Sequence, residues 1–143
     1  MSQLWVENTE SIDWDELSEL YRVAPLGDKP AEYLRVSFTN SRFVIFVYDE
    51  GRLVGAGRVL ADGVDCAYLC DIALRPEYQG CGLGRQIVER LVELAKGHRK
   101  IILYAVKGKE PFYKKFGFKR MLTAMALFAN PEEAVAKGTI ADD

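Results

Sequence analysis

The stretch Tyr78-Gln79-Gly80-Cys81-Gly82-Leu83-Gly84-Arg85-Gln86 places three glycines within five positions and then runs into a helical pattern. Leu83, Ile87, Leu91 and Ala95 recur at spacing four, which predicts a helix from Gly82 to Lys96, stopped by Gly97. The run before it, Cys66–Leu74 (CAYLCDIAL), is β-rich and ends ahead of Pro76, which cannot donate to a continuing ladder. A strand, a glycine-rich turn and a helix amino terminus together form an anion site. Unpaired N–H groups converge there and the helix dipole adds partial positive charge. Glycine lets the backbone approach phosphate oxygens without a Cβ in the way. The turn therefore reads as a pyrophosphate cradle.

Two familiar nucleotide cradles do not fit. A P-loop carries Gly-Lys-Ser/Thr, and here the chain has Gly84-Arg85-Gln86. A dinucleotide fingerprint follows the first strand of a βαβ array, whereas this turn follows the fourth strand, after a run of antiparallel hairpins.

Working outward, Leu4–Glu7 predicts a first strand, and Ser11–Ala24 a helix capped by Ser or Asp with Trp14, Leu17, Leu20 and Tyr21 on one face. Pro30 opens a second helix to about Asn40. Arg42–Asp49 and Arg52–Ala61 are strands joined at Glu50-Gly51, a hairpin signal. Lys100–Val106 predicts another strand, Glu110–Phe116 a short helix, Phe118–Ala129 a last long strand, and the tail beyond Asn130 a weak helix. The order implies one domain over residues 1–143: a mixed, mostly antiparallel α/β sheet of about six or seven strands with helices on both faces.

Composition excludes several classes. The longest apolar run, Phe43–Tyr48, is too short to cross a bilayer, and the acidic amino terminus lacks a signal-peptide pattern. A soluble, cytoplasmic protein is expected. Cys66, Cys70 and Cys81 form no CxxC pair and His98 is the single histidine, so neither a disulfide framework nor a metal site is expected. The thiols read as small buried apolar groups, except Cys81 inside the glycine turn. His98 reads as a solvated residue at a helix end. Charge is split: residues 1–71 hold 13 acidic against 6 basic side chains, residues 72–143 hold 8 against 13. An acidic first half disfavours nucleic acid and suits a cationic ligand.

Gln79-Gly80-Cys81-Gly82-Leu83-Gly84 resembles the Q/R-x-x-G-x-G/A signature of the GNAT superfamily of acetyl-CoA-dependent N-acetyltransferases. Leu69–Pro76 before it, Ile102–Val106 after the helix, and Pro111–Phe118 (PFYKKFGF, similar to the family's F-Y-x-x-x-G-F segment) extend the resemblance. The resemblance implies that Ile72, Ala73 and Leu74 pair with the pantetheine amides of acetyl-CoA, and that Gln79, Gly80, Cys81, Gly82, Leu83, Gly84 and Arg85 hold its pyrophosphate. It implies parallel strands at Cys66–Leu74 and Lys100–Val106 that splay apart, with the thioester beside Asp71, Ile72 and Tyr113.

Direct transfer requires amine deprotonation, oxyanion stabilisation and thiolate protonation. The resemblance makes Tyr113 the acid, a backbone N–H near Ile72 the oxyanion donor, and Phe112 either core or pantetheine packing. Asp71, a carboxylate in an apolar run, is a base, an orienter of the acceptor ammonium, or a cap on a strand bulge. Tyr68 stands where some relatives carry an acidic base, which leaves water as an alternative. A covalent route through Cys70 or Cys81 lacks a neighbouring histidine.

The acceptor is expected to be a small cationic amine such as a polyamine, arylalkylamine or aminoglycoside. Glucosamine-phosphate acetyltransferases are a second resemblance, with Arg22, Lys29 and Arg35 available for a phosphate. A peptide amine and a non-catalytic acyl-CoA-binding module stay open. Trp14, Tyr21, Tyr33 and Phe38 either line an apolar slot or belong to the core. The apolar run Met121–Ala129 makes pairing with a second copy, a homodimer, an expectation.

Overall fold

A computed structural model of the chain describes residues 3–143. It divides into two compact units, Met1–Leu103 and Tyr104–Asp143.

The first unit begins with strand β1, Gln3–Val6. Helix α1, Trp14–Val23, follows because Asp13 accepts from the N–H groups of Asp15 and Glu16 at 3.0 and 3.1 Å. Helix α2, Ala31–Thr39, starts directly after Pro30. Strands β2 (Phe43–Asp49) and β3 (Arg52–Ala61) are joined at Glu50 and Gly51, both with positive φ (53° and 78°). A two-residue turn of that kind matches the twist of the strands it joins. Strand β4, Cys66–Leu74, leads through a 3-10 turn at Pro76–Tyr78 to helix α3, Leu83–Leu94. Strand β5 is Lys100–Ile102.

The sheet order is β1-β2-β3-β4-β5, antiparallel except for the parallel β4–β5 pair. Leu17, Leu20 and Tyr21 of α1 and Leu34 and Phe38 of α2 are buried against Val44, Phe46, Ala56 and Ala73. On the opposite face α3 approaches closely, because Gly55 and Gly57 leave room. A Cβ at either position would lie within 3 Å of Ile87 or Leu91. The expected stripe of Leu83, Ile87, Leu91 and Ala95 is buried throughout.

Five strands form among the described residues, fewer than the six or seven expected, and the last of them is shorter than expected. The β4–β5 ladder ends at Tyr68–Ile102, so the run expected as a strand through Val106 has no regular secondary structure after Ile102. The run 118–129, expected as the last long strand, has no strand partner and forms none. An apolar β-rich sequence becomes a strand only where a neighbour supplies the ladder. Its Met121, Leu122, Met125 and Leu127 are exposed.

The second unit holds helices α4 (Glu110–Lys114) and α5 (Pro131–Ala136, capped by Asn130), and an edge-to-face cluster of Phe112, Tyr113, Phe116 and Phe118. No described helix is long and apolar enough to cross a membrane.

Candidate active site

Strand β4 carries the site's first part. Beyond Tyr68 it is paired with β3 on one edge, while β5 does not follow it on the other. Residues 69–74 thus keep one edge free of any strand among the described residues, suited to an extended ligand that pairs as a strand would. Within this stretch the register shifts: Ala56 faces Ala73 but Arg58 faces Cys70, so Asp71 and Ile72 together oppose Gly57. That is a β-bulge. Asp71 adopts it with φ of 55°, a left-handed conformation that L side chains rarely take.

Three side chains hold this bulge, and Ser41 braces one of them. Arg58 Nε donates to Asp71 Oδ2 at 2.7 Å, and Arg58 Nη1 donates to Ser41 Oγ at 3.3 Å. Lys29 Nζ lies 3.7 Å from Asp71 Oδ1 and over the rings of Tyr21 and Tyr33. The fully buried Tyr21 hydroxyl donates to the Asp71 carbonyl. Burial, reinforced by the Asp71 charge, pushes the Tyr21 phenol well above its ordinary range, so it stays a donor. The Asp71 carboxylate, expected as a base, an orienter of the acceptor ammonium or a cap on a strand bulge, is thus paired with a guanidinium at the bulge.

Burial also pushes the Cys70 thiol up to about 11, which keeps it protonated and inert as a nucleophile. Cys66 and Cys70 are half-buried, while Cys81 is exposed and its thiol donates to the Tyr78 carbonyl at 2.8 Å. Tyr68 is half-buried on β4, opposite Leu60.

The glycine turn is the second part. Arg75, buried at the end of β4, donates from Nε to the Leu53 carbonyl at 2.8 Å, and Tyr78 donates its hydroxyl to Asp49. The turn is thereby fastened to the β2–β3 hairpin. Gly80 and Gly82 then take φ of 82° and 92°, with nothing within 4 Å of where a Cβ would stand. Gly82 is the N-cap of α3 and no side chain caps its N–H groups. The first intrahelical bond is from Gln86 N–H to the Gly82 carbonyl. Gln79 and Arg85 are exposed, Gly84 is half-buried, and Leu83 is buried, so Leu83 offers the turn its backbone alone.

Tyr113 and Phe112 belong to the second unit. Tyr113 is half-buried, its ring in edge-to-face contact with Phe112 at 5.0 Å and near Phe118 at 6.2 Å. Burial raises its phenol above the ordinary range, so it is protonated near neutral pH.

The model of the acetyltransferase (GNAT) family matches residues 7–118. The chain belongs to that family. This acetyltransferase domain is 33% identical over 118 residues to serotonin N-acetyltransferase 2, chloroplastic, of rice (Oryza sativa subsp. japonica). It is 30% identical over 114 residues to GCN5-related N-acetyltransferase 1, chloroplastic, of Arabidopsis thaliana. Those matches cover 78% and 77% of the domain but 58% of each plant protein. Its fold is also that of a probable acetyltransferase from meticillin-resistant Staphylococcus aureus, with a TM-score of 0.77 and 24% identity over 89% of this chain and 99% of that one.

Three residues escaped the sequence reading or were read otherwise. Arg58 was not singled out, although a lone cation inside an apolar strand facing a strand with a lone carboxylate was a signal for it. Tyr21 and Lys29 join the bulge at Asp71 rather than an apolar slot or a phosphate site. Phe38 is core, as Tyr21's ring is, and Tyr33 is exposed. His98, expected to be solvated, is half-buried: its Nε2 accepts from Gly63 N–H at 3.1 Å, which leaves Nδ1 protonated to donate to the Ala95 carbonyl at 2.8 Å. Among the described residues no cluster of side chains could hold a metal.

Proposed function

We propose that the chain transfers the acetyl group of acetyl-CoA to the primary amine of a small cationic acceptor by direct attack. The observation that carries this reading is the continuous path along β4: an edge without a strand partner, a bulge at Asp71–Ile72, and an uncapped helix start at Gly82. In this reading Ile72, Ala73 and Leu74 pair with the pantetheine arm and the turn from Gln79 to Arg85 receives the pyrophosphate.

The amine nitrogen attacks the thioester carbon, forming the C–N bond and a tetrahedral oxyanion that accepts a hydrogen bond from the Ile72 N–H. The ammonium proton passes to water near Tyr68. The C–S bond then breaks, and the coenzyme A thiolate takes the Tyr113 proton. Because burial keeps that phenol protonated, the rate has no falling limb from Tyr113 until pH exceeds the ordinary tyrosine range.

Two observations support a cationic acceptor. The first half of the chain is acidic, and its basic side chains named for a phosphate are already paired: Arg22 with Glu19, Arg35 with Glu32, Lys29 with Asp71.

The test is coenzyme A release from acetyl-CoA with tryptamine, spermidine, tobramycin, glucosamine 6-phosphate and an amino-terminal alanine peptide. Turnover is expected on one of the first three, with Tyr113→Phe lowering kcat by about 100-fold. Transfer to the sugar phosphate or peptide alone overturns the cationic assignment, and tight acetyl-CoA binding with no transfer overturns the enzyme reading.

A further inference from the structure

Asp71 is one of two described non-glycine residues with positive φ, and the other, Glu50, sits at an exposed hairpin tip. Asp71 lies instead in the middle of a strand, where nothing in its own sequence asks for a left-handed residue. Its partners come from three other elements. Arg58 on β3 takes one carboxylate oxygen, Lys29 between α1 and α2 lies near the other, and Tyr21 on α1 takes the carbonyl. Arg58 and Asp71 are 12% and 18% exposed, so neither charge is readily replaced by water. Strain of this kind persists only where surroundings over-determine it. The residue that follows is Ile72, whose N–H direction depends on the Asp71 backbone.

We propose that Arg58 and the Tyr21 hydroxyl are positioning residues for acyl transfer. They clamp Asp71 by its carboxylate and its carbonyl, and the clamped bulge sets the direction of the Ile72 N–H that meets the oxyanion. Asp71 then acts as the grip of the clamp, not as the base. This rests on the function proposed above.

Glycine separates the two roles of Asp71. It adopts positive φ without a Cβ penalty, so it supplies the bulge without the carboxylate. Alanine supplies neither. The experiment compares Arg58→Met, Asp71→Ala and the double variant Asp71→Gly/Arg58→Met, which removes both members of the Arg58–Asp71 pair and leaves only Lys29, itself 22% exposed, without its carboxylate. Each is assayed for acetyl transfer to the best amine of the panel, for acetyl-CoA affinity by calorimetry, and for amide exchange of the β3–β4 ladder at residues 56, 58, 70 and 73.

Arg58→Met and Asp71→Ala are expected to lose about 100-fold in kcat, the size of a lost oxyanion donor, with acetyl-CoA affinity changed by less than about threefold. Their ladder amides exchange faster. The double variant is expected to recover at least about tenfold of the lost rate and to restore ladder protection, with the pH profile unmoved. A double variant with restored protection that is as slow as Asp71→Ala overturns the proposal, since the carboxylate itself then takes part in the chemistry. So does an Asp71→Ala variant at parental speed. If the parent acetylates no amine, the proposed function fails, and ladder exchange alone judges the clamp: unchanged exchange in Asp71→Ala sinks it.

Discussion

The chain turns left-handed at Asp71 and again at Gly80 and Gly82, and the two turns are held by opposite means. At Asp71 an L side chain occupies a conformation that costs about 1–2 kcal/mol, offset by bonds to its carboxylate and its carbonyl from other elements. At Gly82 no Cβ is present, no side chain caps the helix, and the space where one would stand is empty. The bulge commits its polar groups to the protein itself. The glycine turn leaves the first N–H groups of α3 without a side-chain cap. A neighbouring pair of thiols repeats the contrast, with Cys70 half-buried at the bulge and Cys81 exposed in the turn.

Gly82→Val tests the ligand side of this contrast and carries the largest effect. The positive φ strains the new side chain, and its branches enter the space proposed for the pyrophosphate. Acetyl-CoA affinity measured by calorimetry is expected to fall about 100-fold, near 2.7 kcal/mol. A fall in melting temperature with affinity preserved would reverse the comparison, making the turn structural.

Tyr21→Phe tests the protein side. It leaves the Asp71 carbonyl without its buried donor, and denaturant unfolding is expected to show a loss of about 2 kcal/mol, roughly thirtyfold in the folding equilibrium. Parental stability would mean that the carbonyl finds water.

Thiol labelling sharpens the contrast further. At neutral pH a maleimide is expected to modify Cys81 at least about tenfold faster than Cys70, whose thiol burial pushes up to about 11, and acetyl-CoA is expected to slow the labelling of Cys81 alone.

The smallest effect concerns a third turn, held by its own side chain. Asp62 accepts from the N–H groups of Val64, Asp65 and Cys66 at 2.9, 2.7 and 3.2 Å, which holds its carboxyl at about 2, below the ordinary 3.8. Its folded-state pKa is depressed, so its contribution is full above the unfolded value and fades as pH falls from about 4 toward 2. Thermal melts of the parent should lose stability over that window relative to Asp62→Ala, and parallel curves would show that the bonds carry no linkage.

Legibility followed the range of the forces involved. The Glu50-Gly51 hairpin, the Asp13-capped α1 and the glycine turn before α3 were readable because each depends on residues within a few positions of one another. The family signature was readable for the same reason, being local. Asp71 was visible as an odd carboxylate, but its partners are distant: Lys29, Arg58 and Tyr21 meet it only after two helices and three strands have assembled. His98 looked solvated because Gly63, its donor, is far away in the chain.

The strands expected to 106 and over 118–129 show the limit most plainly. Their composition is β-like, but a strand is a property of a pair, and pairing ends at Tyr68–Ile102. The caps, the turns, the buried stripes and the glycine-led start of α3 could be read from the chain alone, because propensity and periodicity act over a turn or two. Where the ladders stop and which charges meet at the bulge were settled by the assembled fold. Those outcomes depend on contacts between segments that no local pattern records.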